Sequence, residues 1–156
     1  MAGRFFEEWH VGDGIVHEIR RTVTETDNLL FSTMTHNPQP LHLDAEAAKA
    51  SEFGRILVNG TFTFALMVGL SVGDTTLGTL VANLGYDRLV MPKPVFIGDT
   101  MRAGSEVTEL RESRSRPDAG IVTFAHHLTN QRDEIVCQCL RSALIRRRPP
   151  HPEERP

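Results

Sequence analysis

The segment Asn59-Gly-Thr-Phe-Thr-Phe-Ala-Leu-Met-Val-Gly-Leu-Ser-Val-Gly73 limits the fold more than any other part of the chain. It carries no charge, and its residues are apolar or small on nearly every side. A helix apolar all round must be buried all round. The pattern therefore predicts a central helix over residues 60–72, wrapped by other elements. The second half of the chain supplies the wrapping. Segments 80–90, 100–112, 120–130 and 134–146 read as strands, separated by the turns MPKP with IGDT, SRPDAG and NQRDE. In GIVTFAHHLTN, Val122, Phe124, His126 and Leu128 alternate onto one face, leaving His127 on the other. Residues 14–24 read as an edge strand. One long helix embraced by a curved antiparallel sheet is an α+β architecture.

Two shorter helices precede the central one. Thr24 followed by Asp27 resembles a capping box, and Leu30, Phe31 and Met34 give an apolar stripe. His36-Asn-Pro-Gln-Pro40 stops that helix, because a proline disfavours helical geometry in the residue before it. Asp44 can cap a second helix, DAEAAKAS, with Gly54 just past its end.

Composition fits one soluble domain. The chain has 156 residues, 40% apolar and 24% charged, with formal net charge −3. That balance gives no general attraction to nucleic acid or to an anionic membrane. No apolar run is long enough to span a bilayer, and the N-terminus lacks the apolar core of a signal peptide. Residues 1–146 are expected to form the domain. Residues 147–156, with four prolines in the last eight positions, are expected to be a flexible tail. Cys137 and Cys139 would share one strand face, pair poorly with each other, and remain free thiols in a reducing cytoplasm. No internal repeat, phosphate loop, HExxH or paired CxxC occurs, and no metal site is expected.

Two stretches can carry chemistry. Asn37 and His42 are five apart, with Pro38 and Pro40 between them. A proline-braced loop has little freedom left to lose, so it can hold polar side chains in a fixed relation. Histidine suits proton transfer near neutrality, and an amide can position water without taking its proton. The second stretch is Asn59-Gly60-Thr61. If Gly60 opens the buried helix, its N–H is an unsatisfied donor at the positive end of the macrodipole, suited to an oxygen gaining negative charge. Each stretch also has a purely structural reading, as a helix cap and a helix start. Asp44 is most simply a cap, and Asp74, Asp87 and Asp99 turn residues. His10, His17 and His36 carry no usable signal.

Taken together, FFEEWHVGD, RTVTETDNLLFSTMTHN, NPQPLHLDAEAA, LVNGTFTFALMVGL, PVFIGDTMRAGSEVTELRES and the closing GIVTFAHHLTNQRDEIVCQCLRSALI resemble the MaoC-like dehydratases, the (R)-specific enoyl-CoA hydratases of the hot-dog fold. The resemblance covers roughly residues 5–145. It implies a reversible acyl-CoA hydratase or dehydratase, working on an enoyl-CoA thioester without metal or other cofactor. His42 falls on the family's catalytic histidine and Pro40-Leu41 on its Pro-Leu pair. Gln39 stands where the family has Asn, and Asn37 where it has the catalytic Asp. Gly60 falls on the glycine whose N–H holds the thioester oxygen, preceded here by Asn59 and followed by Thr61. A small polar residue that some members place later on the central helix becomes Val68. Members acting on branched dicarboxylyl-CoA esters depart from the plain motif, so a mesaconyl-CoA-like substrate is carried. The site so implied has Asn37, His42 and Gly60 as catalytic residues, His42 opposite the Gly60 amide in a common cavity, and Gln39, Pro40, Asn59 and Thr61 around the substrate. The resemblance also implies a homodimer or higher assembly, joined edge to edge. A hot-dog thioesterase and a non-catalytic acyl-CoA-binding subunit are the alternative functions.

Overall fold

A computed structural model describes residues 3–149. A 3-10 turn, Phe6–Glu8, leads into strand β1 (Gly14–Thr22). Helices α1 (Glu25–Met34), α2 (Pro40–Leu43), α3 (Ala45–Ala50) and α4 (Gly60–Thr75) follow. Strands β2 (Leu80–Val90), β3 (Thr100–Glu112), β4 (Ala119–Thr129) and β5 (Ile135–Arg146) close the chain. All pair antiparallel in one sheet of order β1-β3-β4-β5-β2. The register slips in every pairing. Such irregularities bend and twist strands, as a sheet curving around α4 requires.

The expected strands are present, and β1 lies at an edge as read from the sequence. Helix α4 runs three residues further than the apolar pattern predicts, to Thr75. Asp74 is therefore a helical residue and not a turn residue, because its carboxylate has a partner, His17, across the fold. Asp87 likewise lies inside β2. Asp99 is in a turn, where Oδ2 accepts the Phe96 N–H at 2.9 Å. Burial of α4 is also less complete than its composition suggests. Met67, Leu70 and Ser71 are buried, yet Thr61, Ala65 and Gly69 form an exposed line along the opposite side.

Two apolar clusters make up most of the interior, beside a smaller one of Ala119, Ile121 and Leu144. One gathers Val23, Val58, Met67, Leu70, Met101, Leu128 and Cys137 around the first turns of α4. The other gathers Phe6, Trp9, Val107, Val122, Phe124 and Ile145. Buried polar side chains lie on the sheet's inner face as well: His17, Ser105, His126 and Arg141. His17 Nδ1 meets Asp74 Oδ2 at 2.8 Å and its Nε2 meets Ser105 Oγ at 2.8 Å. Ser105 Oγ meets His126 Nδ1 at 2.7 Å. With His17 neutral, every proton in this chain has one place: His126 Nδ1–H donates to Ser105, Ser105 O–H to His17, and His17 Nδ1–H to the carboxylate. Arg141 is fully buried, and its Nε donates to Asn83 Oδ1 at 2.8 Å.

Cys137 and Cys139 are buried free thiols on β5, and burial pushes both up to about 11. Arg147 and Arg148, in the expected tail, are tied to the body. Arg147 pairs with Glu7 and Glu112, and Arg148 with Glu8. The remainder of that tail, 150–156, lies outside the described residues.

Candidate active site

Helix α1 starts as its sequence predicts. Thr24 Oγ1 accepts the Asp27 N–H at 3.2 Å, and Asp27 Oδ2 accepts the Thr24 N–H at 2.8 Å. It ends where His36 takes a left-handed φ of 55°. The chain then turns on Asn37, whose Oδ1 accepts the Gln39 N–H at 3.1 Å. Sequence reading takes 37–42 as a braced loop. The structure makes its second half a helical turn, α2, with Pro40 at its start. Proline tolerates that position because its fixed φ is helical and its missing N–H is not needed there.

Within α2, His42 is half-buried, and its Nδ1 lies 2.8 Å from the Leu57 carbonyl oxygen. A carbonyl only accepts, so Nδ1 carries the proton. In the neutral ring Nε2 then keeps its lone pair, the form a general base needs. Leu57 N–H returns a bond to Leu41 O at 2.9 Å, so the two segments are clamped from both sides.

The start of α4 is stitched to the same region by two buried asparagines. Asn28 Nδ2 donates to the His42 carbonyl at 2.9 Å, while its Oδ1 accepts the Asn59 N–H at 2.9 Å. Asn59 Oδ1 accepts the Thr61 N–H at 3.0 Å, and Asn59 Nδ2 donates to Ser32 Oγ at 3.2 Å. Asn28 and Asn59 are each 2% exposed. The Asn59 amide, expected beside the substrate, is engaged by the helix cap and by α1. Asn28 is absent from the sequence reading. Its one signal is an amide in the interior of an amphipathic helix, a place that suits it poorly unless the side chain has partners.

The Gly60 N–H has no acceptor among the described residues. Gly60 lines a cavity of about 310 Å³ together with Phe53, Leu57, Thr63, Met91, Lys93 and Val136, among others. A Cβ on Gly60 would lie 2.6 Å from Met91 Sδ, so a side chain at position 60 requires Met91 to move. His42 lines a second, narrower cavity of about 90 Å³ with Asn28, Leu29, Leu43, Ile56 and Ile97. The single chain therefore does not place imidazole and amide in one common cavity, as the sequence reading expects. Leu57 touches both regions: its carbonyl meets His42, and the residue lines the Gly60 cavity. Asn37 is half-buried and makes no hydrogen bond to His42 among the described residues. Gln39, Pro40 and Thr61 are exposed. His126 is buried and His127 exposed, as the alternation predicts. No cluster of three His, Cys, Asp or Glu fit to hold a metal occurs among the described residues.

Residues 7–128 match the family model described as "MaoC like domain". The chain belongs to the MaoC-like family. Among its relatives, a mesaconyl-CoA hydratase of Cereibacter sphaeroides is 36% identical over 147 residues, 94% of this chain and 42% of that protein. A β-methylmalyl-CoA dehydratase of Chloroflexus aurantiacus is 31% identical over 150 residues, covering 96% of this chain and 42% of that one. A Mycobacterium tuberculosis protein described as a double hotdog fold superposes with a TM-score of 0.86 at 21% identity, over 96% of this chain and 46% of its own. The fold of this MaoC-like chain is thus the hot-dog fold. The chain spans about two-fifths of the length of these curated relatives.

Proposed function

We propose that this protein reversibly adds water to the double bond of an enoyl-CoA thioester. The observation that carries the reading is the Leu57 carbonyl on His42 Nδ1, which leaves Nε2 as a base beside the entrance of α4. In the hydration direction the thioester reaches past Leu57 from the His42 cavity to the Gly60 cavity, its oxygen at the Gly60 N–H. Asn37 positions water, and His42 Nε2 takes a proton as its oxygen bonds to the β-carbon. Electron density moves through the α-carbon onto the thioester oxygen, where the helix N-terminus stabilises it. The imidazolium returns the proton at the α-carbon, so one water is added and the enzyme is unchanged. The proposed steps call on no metal or redox group.

Both curated relatives act, by name, on short branched dicarboxylyl-CoA thioesters, and such a substrate is included in the proposal. A thioesterase reading needs a carboxylate to activate water. Asp44 is engaged as a cap, accepting the Glu46 and Ala47 N–H groups at 3.0 Å.

The proposal includes a second copy of the chain. Strand β2 is a free edge, and it exposes Leu84, Tyr86, Leu89 and Val90. A free edge with apolar side chains is a template for pairing. The exposed line of α4 and the doubled length of the relatives support the same arrangement. A cytoplasmic setting accords with two free thiols. No helix among the described residues is long and apolar enough to cross a membrane.

The test follows enoyl-thioester absorbance with crotonyl-CoA and mesaconyl-CoA. His42→Ala is expected to lower kcat by at least about 100-fold with the fold intact, the range for losing a general base. Equal rates for His42→Ala and wild type on both thioesters would overturn the mechanism.

A further inference from the structure

The wall opposite Gly60 is built from Met91-Pro92-Lys93-Pro94-Val95. Proline on each side of Lys93 fixes φ at two of its neighbours and leaves the segment little freedom. The segment is also bound to the entrance of α4. Val58 N–H donates to Val95 O at 2.9 Å, Leu57 bridges Phe96, and Met91 Sδ rests against Gly60. Backbone contacts therefore hold Lys93 beside the same cavity as Gly60.

Lys93 is the one charged residue lining that cavity among the described residues. The rest of the lining is apolar apart from Thr63 and the backbone of Gly60. The ammonium meets Glu134 Oε1 at 2.6 Å and is 51% exposed. Glu134 does not depend on it. Its Oε2 also accepts from Asn130 Nδ2 at 2.8 Å and from Arg132 Nε at 2.9 Å. An exposed Lys–Glu pair contributes little, and an ammonium has three donors, so a second carboxylate can join the pair or replace Glu134. Deeper along α4 the interior is filled: Met67 and Cys137 are fully buried. The space at Gly60 therefore suits a short acyl group, whose far end lies only a few bonds from the thioester.

We infer that Lys93 recognises a second carboxylate on the acyl group, making the protein selective for short dicarboxylyl enoyl-CoA thioesters over monocarboxylyl ones of the same skeleton. The inference rests on the hydratase reading for where the thioester sits. A carboxylate entering an apolar pocket loses hydration and must regain it from a charged donor, while a methyl group in its place gains nothing from that donor.

The test compares mesaconyl-CoA with 2-methylcrotonyl-CoA, in which a methyl replaces the free carboxylate. Wild type is expected to favour mesaconyl-CoA by at least tenfold in kcat/KM, mainly through KM. Lys93→Gln and Lys93→Met are expected to lose at least tenfold of that ratio, and Lys93→Arg to retain most of it. Glu134→Gln, which frees the ammonium, is expected to raise the ratio. Calorimetry with the saturated analogues, methylsuccinyl-CoA and 2-methylbutyryl-CoA, reads the same ratio without turnover. A ratio unchanged by Lys93→Gln in both measurements overturns the role of Lys93 and leaves the hydratase reading standing. A ratio lost on Lys93→Gln in binding, with no hydration of either thioester by wild type, upholds Lys93 and overturns the hydratase reading.

Discussion

Acid should unfold this protein through a single buried imidazole. His126 is 2% exposed, stacks on Phe124 and bonds Ser105. Its pKa is lowered to about 3, chiefly by burial and next by the positive charge of Arg141. Arg141 reaches it as a diagonal neighbour on the sheet's inner face, since Phe124 pairs with Arg141 and His126 with Cys139. In the unfolded chain the same ring titrates near 6.5. Between these values the unfolded state binds one more proton than the native state, so stability falls as pH falls. The slope is about 1.4 kcal/mol per pH unit, and the loss from pH 6.5 to 4.5 is about 2 kcal/mol. Above pH 6.5 both states are neutral at this site and it adds no slope. His126→Asn keeps a donor and an acceptor for Ser105 and removes the titration. Urea unfolding at fixed protein concentration, measured from pH 4.5 to 6.5, gives the slope for both proteins. The wild-type slope should exceed that of His126→Asn by about one proton. Parallel slopes would refute the assignment of a neutral native His126.

Other expectations follow from the same contacts. Native protein at pH 8 should leave Cys137 and Cys139 unmodified by a disulfide reagent, because burial has raised both thiols to about 11; both should react after unfolding in guanidinium. Asn28→Leu strands the His42 carbonyl and the Asn59 N–H without partners, and should lower unfolding free energy by about 2–4 kcal/mol in urea titrations. Asn37→Asp adds a negative charge to the segment that carries His42; where that charge favours the imidazolium, the acid limb of the kcat/KM profile should move to higher pH.

Periodicity made the strands and α4 legible, because each has enough residues for its repeat to show. It failed where structure depends on a distant partner. The His17–Asp74 contact joins residues 57 apart, and nothing local to either distinguishes it from a solvated pair. Arg141 stands two and four residues after Cys139 and Cys137, so alternation places it inward, yet its charge argues for the surface. Helix α2 has four residues, too few to carry a pattern. At the site, the residue types at 37, 42 and 60 were visible, but not that Asn59 is spent on a cap or that His42 and Gly60 line different cavities. Those facts depend on how α1 and α4 meet.

The partner that sets the tautomer of His42 is a peptide carbonyl, that of Leu57. No codon specifies that oxygen, since every amino acid at position 57 brings the same one. The proton inventory of the imidazole is thus inherited with the path of the main chain, and drift at position 57 can reshape the neighbouring cavity without disarming the base.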